Sequence, residues 1–219
     1  MTSPSLLLST TEASPRHRLS SEDRRQQLIA CAIDLFAKRG FAGTRTKDIA
    51  AACGVSEGIL FRHFATKEDL YHAILDTHED EAGAQAWFEE MKRLAVEGDD
   101  AGFIHCLVTK LIQTFRDEAT FHRLMIYARL EGHSLVDLLN QRMGKPCMGF
   151  LRDFVVERQQ QGVFRPGNPD AQVMFLFALP VQYAMTRYVF EMDLLQLPDE
   201  KAAEEITPLL LAGLRQFRK

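Results

Sequence analysis

The 219-residue sequence lacks several features that would assign it to a class of protein at once. No apolar run approaches the roughly 20 residues that span a bilayer, and Leu6–Leu8 is too short for a signal-peptide core. No glycine-rich phosphate loop or nucleophile elbow is present. The four cysteines are scattered without the Cys-x-x-Cys spacing of zinc or redox sites. We therefore expect a cytoplasmic protein with reduced thiols, no cofactor and no membrane partner. The cysteines are Cys31, Cys53, Cys106 and Cys147.

Charge is spread unevenly along the chain. The formal net charge is −4, but residues 1–67 contain ten Lys and Arg against six Asp and Glu, which leaves −8 for the remainder. A basic N-terminal part on an acidic body is typical of a protein that binds phosphate through that part alone. Chance asymmetry between solvated faces explains the same numbers, so charge raises the hypothesis of a nucleic-acid partner without deciding it.

The apolar spacing is helical almost throughout. Residues 1–19 are rich in Ser, Thr and Pro, which predicts a disordered arm. Beyond them no alternating run predicts a strand. We predict an all-α fold of about nine helices, with an N-terminal helix-turn-helix domain at 20–66 and a helical-bundle domain for ligand binding and dimerisation at 67–219. The predicted longer helices lie near 28–40, 67–97, 101–117, 120–131, 134–161, 170–195 and 199–217.

Residues 44–64 predict two short helices joined by a tight turn, a helix-turn-helix. Ala50 is small where the two helices would cross, and Gly54, four residues later, suits a turn with positive φ. Val55 and Leu60 are apolar where the second helix would pack on the first. An ordinary helical hairpin with a glycine turn is the competing interpretation.

The helix starts in this segment carry capping residues. Ser56 can cap the second helix, and either Thr44 or Thr46 can cap the first. Both helix starts would then offer backbone N–H groups to DNA phosphates.

The motif series continues on both sides of this segment, through 28–41, 48–50, 54–56, 61–64 and 67–70. In this series the sequence resembles the N-terminal domain of the tetracycline-repressor (TetR) family of transcriptional regulators, over about a fifth of the chain. The resemblance implies a homodimer that binds a pseudo-palindromic double-stranded DNA operator. It further implies a repressor that a small-molecule effector releases from that operator.

By this resemblance the second helix of the motif lies in the major groove. Glu57, Gly58 and Arg45 are the candidates for base contacts, because Glu57 can accept from cytosine N4 and Gly58 permits close approach. Phe61 stands where the family often has Tyr, so its role moves towards packing or a thymine methyl group. Cys53 replaces a usual Ala, and we interpret it as a small buried residue rather than a redox switch. The candidates for phosphate contacts are Thr44, Thr46, Ser56, Arg62, His63 and Lys67.

The resemblance also implies that the last two long helices form a four-helix dimer interface. Apolar residues along both helices fit that role, although ordinary core packing competes for each one. They are Val173, Phe177, Tyr183, Tyr188, Leu209, Leu210, Leu214 and Phe217.

The helices between residues 103 and 177 are rich in Phe and Met. Such flexible, polarizable side chains suit a cavity for an apolar or aromatic ligand, although a plain core has the same composition. The candidate ligand-binding residues are Phe103, His105, Met125, Arg129, Phe150, Phe154, Phe175 and Gln182.

Two other classes of protein compete with the regulator. In an all-α enzyme, His72, Asp76 and His78 could cluster on one helix face, and Glu131 lies two residues before His133. Neither set has the spacing of a known metal motif, so we predict no metal and no enzyme. The third interpretation is a helical adaptor that keeps a DNA-binding head without using it.

Overall fold

The computed structural model describes residues 20–77, 81–194 and 197–216. Within these ranges the chain forms ten continuous helices and no strand, which confirms the prediction of an all-α fold. None of these helices is long and apolar enough to cross a membrane. We call residues 20–66 the head and the remaining described residues the body.

The head contains three helices, and the body begins with α4. Among the described residues eleven α-helical segments are numbered, because α8 and α9 are parts of one continuous helix. A π-helical turn, Asn140–Gly144, joins α8 to α9, and another, Met185–Val189, extends α10. The helices are α1 Ser21–Arg39, α2 Thr46–Ala52, α3 Glu57–His63, α4 Lys67–Thr77, α5 Glu81–Glu97, α6 Asp100–Asp117, α7 Ala119–Leu130, α8 Leu135–Leu139, α9 Lys145–Gln160, α10 Pro169–Ala184 and α11 Asp199–Leu214.

Two predicted boundaries were wrong. The described parts of the helix predicted over 67–97 are α4 and α5, and residues 78–80 between them lie outside the described ranges. The helix predicted to reach 195 ends at Val189, and Glu191 then adopts a positive φ of 54°. The last helix ends at Leu214 because the backbone of Arg215 leaves it to pair with Phe164. The arm predicted over 1–19, like His78 and Phe217, lies outside the described residues.

The start and end of α1 follow from its capping residues. The hydroxyl of Ser20 accepts a hydrogen bond from the backbone N–H of Asp23, whose carboxylate accepts from Ser20 in return. This reciprocal arrangement is a capping box. Gly40 ends the helix with φ of 71°, a conformation that favours glycine.

Two hydrophobic cores hold the chain together. The first, which we call the N-terminal core, combines residues of α1, α2, α3 and α4 with residues of α7. Phe121, Leu124, Met125 and Ala128 of α7 are all buried in it. Because the body helices α4 and α7 share a core with the head, a movement of either helix cannot leave the head undisturbed.

The second core lies wholly within the body, among α5, α6, α9, α10 and α11. Its centre is aromatic: the rings of Phe103 and Phe154 stack with centroids 3.6 Å apart. Beside them the buried guanidinium of Arg158 donates to the Asp100 carboxylate and to the Ala95 carbonyl. This pairing satisfies a charge that would otherwise be costly to bury and fixes α9 to the turn between α5 and α6.

Candidate nucleic-acid interface

Helices α2 and α3 form the predicted helix-turn-helix. Gly54 has φ of 67°, and the backbone N–H of Val55 donates to the Ala50 carbonyl at 2.9 Å, closing the turn. A Cβ added at Gly54 would meet no atom within 4 Å, so the positive φ alone requires glycine there. Ala50 and Leu60 are buried between the helices. The roles predicted for these residues are confirmed.

The helix caps differ from the prediction at α2. The N-cap residue is Arg45, so Thr46 is the first helical residue and neither threonine caps the helix. Thr44 is fully buried and its hydroxyl donates to the Gly40 carbonyl at 2.8 Å. The Thr44 side chain therefore closes the loop before α2 and has no surface to offer a phosphate. Ser56 is the N-cap residue of α3 as predicted, although its hydroxyl makes no capping hydrogen bond.

One side of α3 faces solvent. Glu57, Gly58 and Arg62 are exposed, and Phe61 retains 46% of its exposed area. Residues at these spacings lie on one side of an α-helix over successive turns. The nearest atom to a Cβ added at Gly58 would be the Ser56 Oγ at 3.8 Å, so internal packing does not require glycine. This side of α3 has the size and exposure to enter a groove.

A hydrogen bond joins the exposed starts of the two motif helices. The hydroxyl of Thr46 donates to the Glu57 carboxylate at 2.7 Å. The bond restricts the Glu57 rotamer and leaves the carboxylate at the solvent-facing edge, where it can accept further hydrogen bonds. The bond thereby brings together two predicted site residues that are 11 positions apart in the sequence.

We call the exposed surface around the starts of α2 and α3 the rim. Arg45 lies on this rim with most of its side chain exposed. Its guanidinium Nε is 3.2 Å from the Asp48 carboxylate, and Arg39 lies 3.8 Å from the same carboxylate. The hydrogen bond from Arg45 lowers the pKa of Asp48 below its ordinary value. The acid stays ionised and positions an arginine that keeps free N–H donors.

Lys67 points towards the protein rather than to solvent. Its ammonium donates to the carbonyls of Phe41 at 2.7 Å and Thr44 at 2.9 Å, and lies 3.9 Å from the Phe41 ring centroid. Two of its three donors thus hold the α1–α2 loop against α4. The phosphate contact predicted for Lys67 would have to use the remaining donor. His63, another predicted phosphate contact, is only partly exposed.

A contact missed by the sequence analysis lies where the head meets the body. The loop after α7 places the Glu131 carboxylate on the backbone N–H of Phe41. The His133 ring packs against Phe41 and Tyr71, with centroids 4.6 and 4.5 Å apart. Burial, followed by the charge of His72, lowers the pKa of His133. No local signal reveals this contact, because its partners are about 90 residues apart.

The prediction of reduced thiols was wrong for two of the four cysteines. Cys31 on α1 and Cys53 at the end of α2 are joined by a disulfide bond. Cys106 and Cys147 are free. The packing of α1 on α2 brings the first pair together, and the 22-residue spacing in sequence gives no sign of it.

The eight candidate ligand-binding residues do not converge on one cavity. Phe103, Phe150 and Phe154 belong to the body core or pack against it, whereas Met125 lies in the N-terminal core. His105 lies at a small cleft of about 150 Å³ between α6 and α11. The other three are dispersed: Arg129 pairs with Asp137, Gln182 donates to Thr186, and Phe175 packs near Gly213.

Helices α10 and α11 expose apolar side chains, of which Leu209 was expected and Met174 and Leu179 were not. Met174, Leu179 and Leu209 are 70%, 40% and 62% exposed, whereas Val173 and Leu210 are buried in the body core. Tyr183, Leu214 and Tyr188 also face the body core, and both tyrosine hydroxyls donate to Asp199. Both helices are apolar on more than one side, so composition could not distinguish the inner row from the outer one.

The described residues do not bring together the metal ligands considered for an enzyme. Among the described residues, no group of three or more His, Cys, Asp or Glu side chains is placed to hold a metal ion. The rings of His72 and His133 are 6.5 Å apart, on α4 and on the loop after α7.

A helix-turn-helix with an exposed second helix, attached to a helical body, defines the class of DNA-binding transcriptional regulators. Residues 28–74 match the family described as bacterial regulatory proteins, tetR family. Over these residues the chain is similar to the TetR family, and the chain is a sequence-specific DNA-binding transcriptional regulator.

Curated relatives are similar to this chain in sequence, and solved structures have a similar fold. An uncharacterized regulator of Bacillus subtilis, YvkB, is 25% identical over 199 residues, 86% of this chain and 96% of YvkB. The Mycobacterium tuberculosis repressor Rv3405c is 41% identical over 71 residues, 32% of this chain and 38% of that protein. The structure of AibR with isovaleryl coenzyme A and operator DNA superposes with a TM-score of 0.62 at 21% identity, covering 86% of this chain and 98% of AibR.

Proposed function

We propose that the chain is a cytoplasmic repressor that binds a pseudo-palindromic operator as a homodimer and leaves it on binding a small apolar or aromatic ligand. Residues 20–66 read the DNA, and residues 67–219 bind the ligand and dimerise. The observation that carries the proposal is the solvent-facing side of α3, with the Glu57 carboxylate held at its edge by Thr46.

The contacts with DNA divide into two sets. Glu57, Gly58 and Phe61 face the bases, where the carboxylate accepts from cytosine N4 and the ring meets a thymine methyl group. Phosphates are bound by residues on the rim, which position the helix in the groove. Thr44 and Lys67 act indirectly by fixing the loop before α2. The rim residues are Thr46, Ser56, Arg62 and His63, and Arg45, a candidate for a base contact, lies beside them.

Dimerisation uses the exposed rows of α10 and α11. Met174, Leu179 and Leu209 supply apolar area that water covers in a single chain. Packed against the same rows of a second copy, they form an isologous four-helix interface. A two-fold dimer of this kind presents two α3 helices to half-sites about 34–36 Å apart.

Release by a ligand uses the core shared between head and body. The rings of Phe103, Phe150 and Phe154 can separate to admit an apolar ligand among α6 and α9. AibR, whose fold is similar, was solved with an acyl coenzyme A, which supports an apolar acyl or aromatic ligand here. Displacement of α6 then moves α7 and the N-terminal core. A coupling free energy of about 1–3 kcal/mol lowers operator affinity roughly 5–150-fold.

The test is recovery of an operator from fragments of the host genome by the purified full-length chain at two salt concentrations. We expect a pseudo-palindrome whose binding weakens as salt rises. Arg62→Ala should weaken binding and make the slope of log K against log salt shallower by about one per half-site.

Lys92→Ala, on the exposed side of α5, removes the same charge outside the head and serves as the matched control. It should leave both the affinity and the slope unchanged. Failure to recover a specific sequence at either salt concentration, with or without candidate ligands, would contradict the regulator. Equal behaviour of the two variants would contradict the assignment of the α3 side.

A further inference from the structure

The disulfide bond of the head joins α1 to the turn of the helix-turn-helix. Cys31 sits in the middle of α1, and Cys53 is the C-cap residue of α2, immediately before the glycine of the turn. Their Cα atoms are 6.1 Å apart, a separation that a disulfide spans without backbone movement. The bond therefore ties the turn of the DNA-reading motif directly to the helix behind it.

The same packing accommodates the reduced pair. The Cys53 sulfur lies 3.6 Å from the Gln27 carbonyl oxygen, so a Cys53 thiol has an acceptor for its proton. The Gln27 side-chain amide donates to the Cys53 carbonyl at 3.4 Å and keeps the end of α2 beside α1 without any covalent bond. These two neighbours can hold the same packing when the pair is reduced, as a reversible site requires.

Exposure distinguishes the two sulfurs. Cys53 is buried, whereas Cys31 is only partly buried at the edge of the N-terminal core. A small oxidant in solution therefore reaches Cys31 first, and Cys53 is the neighbour that completes the reaction. Because a regulator of bacterial genes works among reducing thiols, a disulfide there is more often transient and redox-sensing than structural.

We propose that Cys31 and Cys53 form a reversible redox site, closed by peroxides, that stiffens the helix-turn-helix and increases its affinity for DNA. The Cys31 thiolate attacks one peroxide oxygen, the O–O bond breaks, and Cys31 becomes a sulfenic acid as water is released. The Cys53 thiol then attacks that sulfur and releases a second water. Two thiols and one hydrogen peroxide give one disulfide and two waters, and an external dithiol reverses the reaction.

The effect on DNA binding rests on the proposed function. Helix α2 has seven residues and α3 starts four residues after its C-cap residue, so the turn at Cys53 sets the angle between them. A bond that restrains this turn preorganises α3 for the groove and reduces the ordering cost of binding.

The chemistry is tested without DNA. The reduced full-length chain is treated with hydrogen peroxide, its free thiols are counted by alkylation and mass spectrometry, and its peptides are mapped. We expect two of the four thiols to disappear, a peptide linking Cys31 to Cys53, and complete recovery with dithiothreitol. Cys106→Ser, the matched control, should still lose two thiols, while Cys31→Ser and Cys53→Ala should form no such link. Absence of the Cys31–Cys53 link in the wild type would overturn the proposal.

The consequence is tested with the DNA duplex recovered in the operator selection. The oxidised wild type should bind it at least about threefold more tightly than the reduced form, and Cys53→Ala should not respond to peroxide. Equal affinity of the two forms would overturn the regulatory role.

If no duplex binds in either redox state, the proposed function fails. Amide hydrogen exchange over residues 46–63 then tests whether the disulfide stiffens the helix-turn-helix. Slower exchange in the oxidised wild type, absent from Cys31→Ser, supports it. Equal exchange in both redox states overturns it.

Discussion

The Glu131 carboxylate accepts a hydrogen bond from the backbone N–H of Phe41 at 2.9 Å. This bond joins the end of α7 to the loop that precedes the helix-turn-helix. The Lys67 ammonium donates to the carbonyl of the same Phe41. The start of the DNA-reading motif is therefore held between α4 and α7, the two body helices that contribute to the N-terminal core. A ligand that shifts either helix acts on this loop directly.

We call the contact of Glu131 and His133 with Phe41 and Tyr71 the joint between head and body. Loss of the Glu131 carboxylate should weaken this joint. In Glu131→Ala the Phe41 N–H loses its acceptor, and we expect the free energy of unfolding to fall by about 1 kcal/mol, the net value of such a hydrogen bond. Urea denaturation monitored by circular dichroism measures the loss. Asp153→Ala, on the exposed side of α9, removes an acid outside the joint and should leave stability within about 0.5 kcal/mol of the wild type. Equal stability of the two variants would refute the role of the bond.

Two threonines separated by one residue should give opposite results. Thr44→Val replaces a buried hydroxyl that donates to the Gly40 carbonyl, so we expect a stability loss of about 1–2 kcal/mol. Thr46→Val removes the donor to Glu57 at the surface, so it should lower operator affinity with little change in stability. Thermal unfolding and fluorescence anisotropy of a labelled operator separate these effects. A Thr44→Val protein that is fully stable but unable to bind DNA would restore the phosphate contact predicted from sequence.

Lys67 should behave as a structural residue as well as a charge. Lys67→Met keeps the apolar stem but leaves the Phe41 and Thr44 carbonyls without their donor, so both stability and operator affinity should fall. Arg62→Ala should lower the affinity alone. Denaturation and DNA binding measured on the same samples distinguish the two patterns. A Lys67→Met protein with wild-type stability would contradict the inward position of the ammonium.

Charges placed in the exposed rows of α10 and α11 should separate the dimer. Met174→Asp combined with Leu209→Asp puts carboxylates where apolar area would be buried, so sedimentation equilibrium should show a monomer. Operator binding should weaken together with dimerisation. Val96→Asp, on a side chain that is 89% exposed on α5, is the control and should remain dimeric. A double variant that stays dimeric would place the interface elsewhere.

Acid should destabilise the joint through His133. Burial lowers its pKa in the folded state, so the unfolded chain binds the proton more readily. The free energy of unfolding should therefore fall as the pH drops below the unfolded value of about 6.5, and this contribution should be constant above it. In His133→Phe, the slope of stability against pH between about 7 and 5 should be shallower. An unchanged slope would show that other groups carry the acid sensitivity.

The sequence was sufficient where local rules dominate. Helical periodicity, the glycine that ends α1 and the glycine in the turn after α2 all depend on neighbours within a few residues, and the structure has them as predicted. The exposed residues of α3 followed from the motif for the same reason. Gly40 and Gly54 both have the positive φ that explains their presence.

Contacts between distant segments could not be predicted. Whether Thr44 points inwards depends on the α1–α2 loop, and whether Cys31 meets Cys53 depends on how α1 packs on α2. On α10, Val173 and Met174 are both apolar, and only the packed body decides which is buried. The dispersed ligand candidates have the same explanation, because Met125 belongs to a helix that packs on the head.

The most direct test of DNA reading by α3 is selection from a random duplex library by the wild-type chain and by Glu57→Gln. We expect two inverted half-sites whose centres are about 10 base pairs apart, and a changed base preference at the same position of both half-sites in the variant. An unsymmetrical consensus, or the same consensus for both proteins, would contradict the claim that the exposed side of α3 reads DNA in a two-fold dimer.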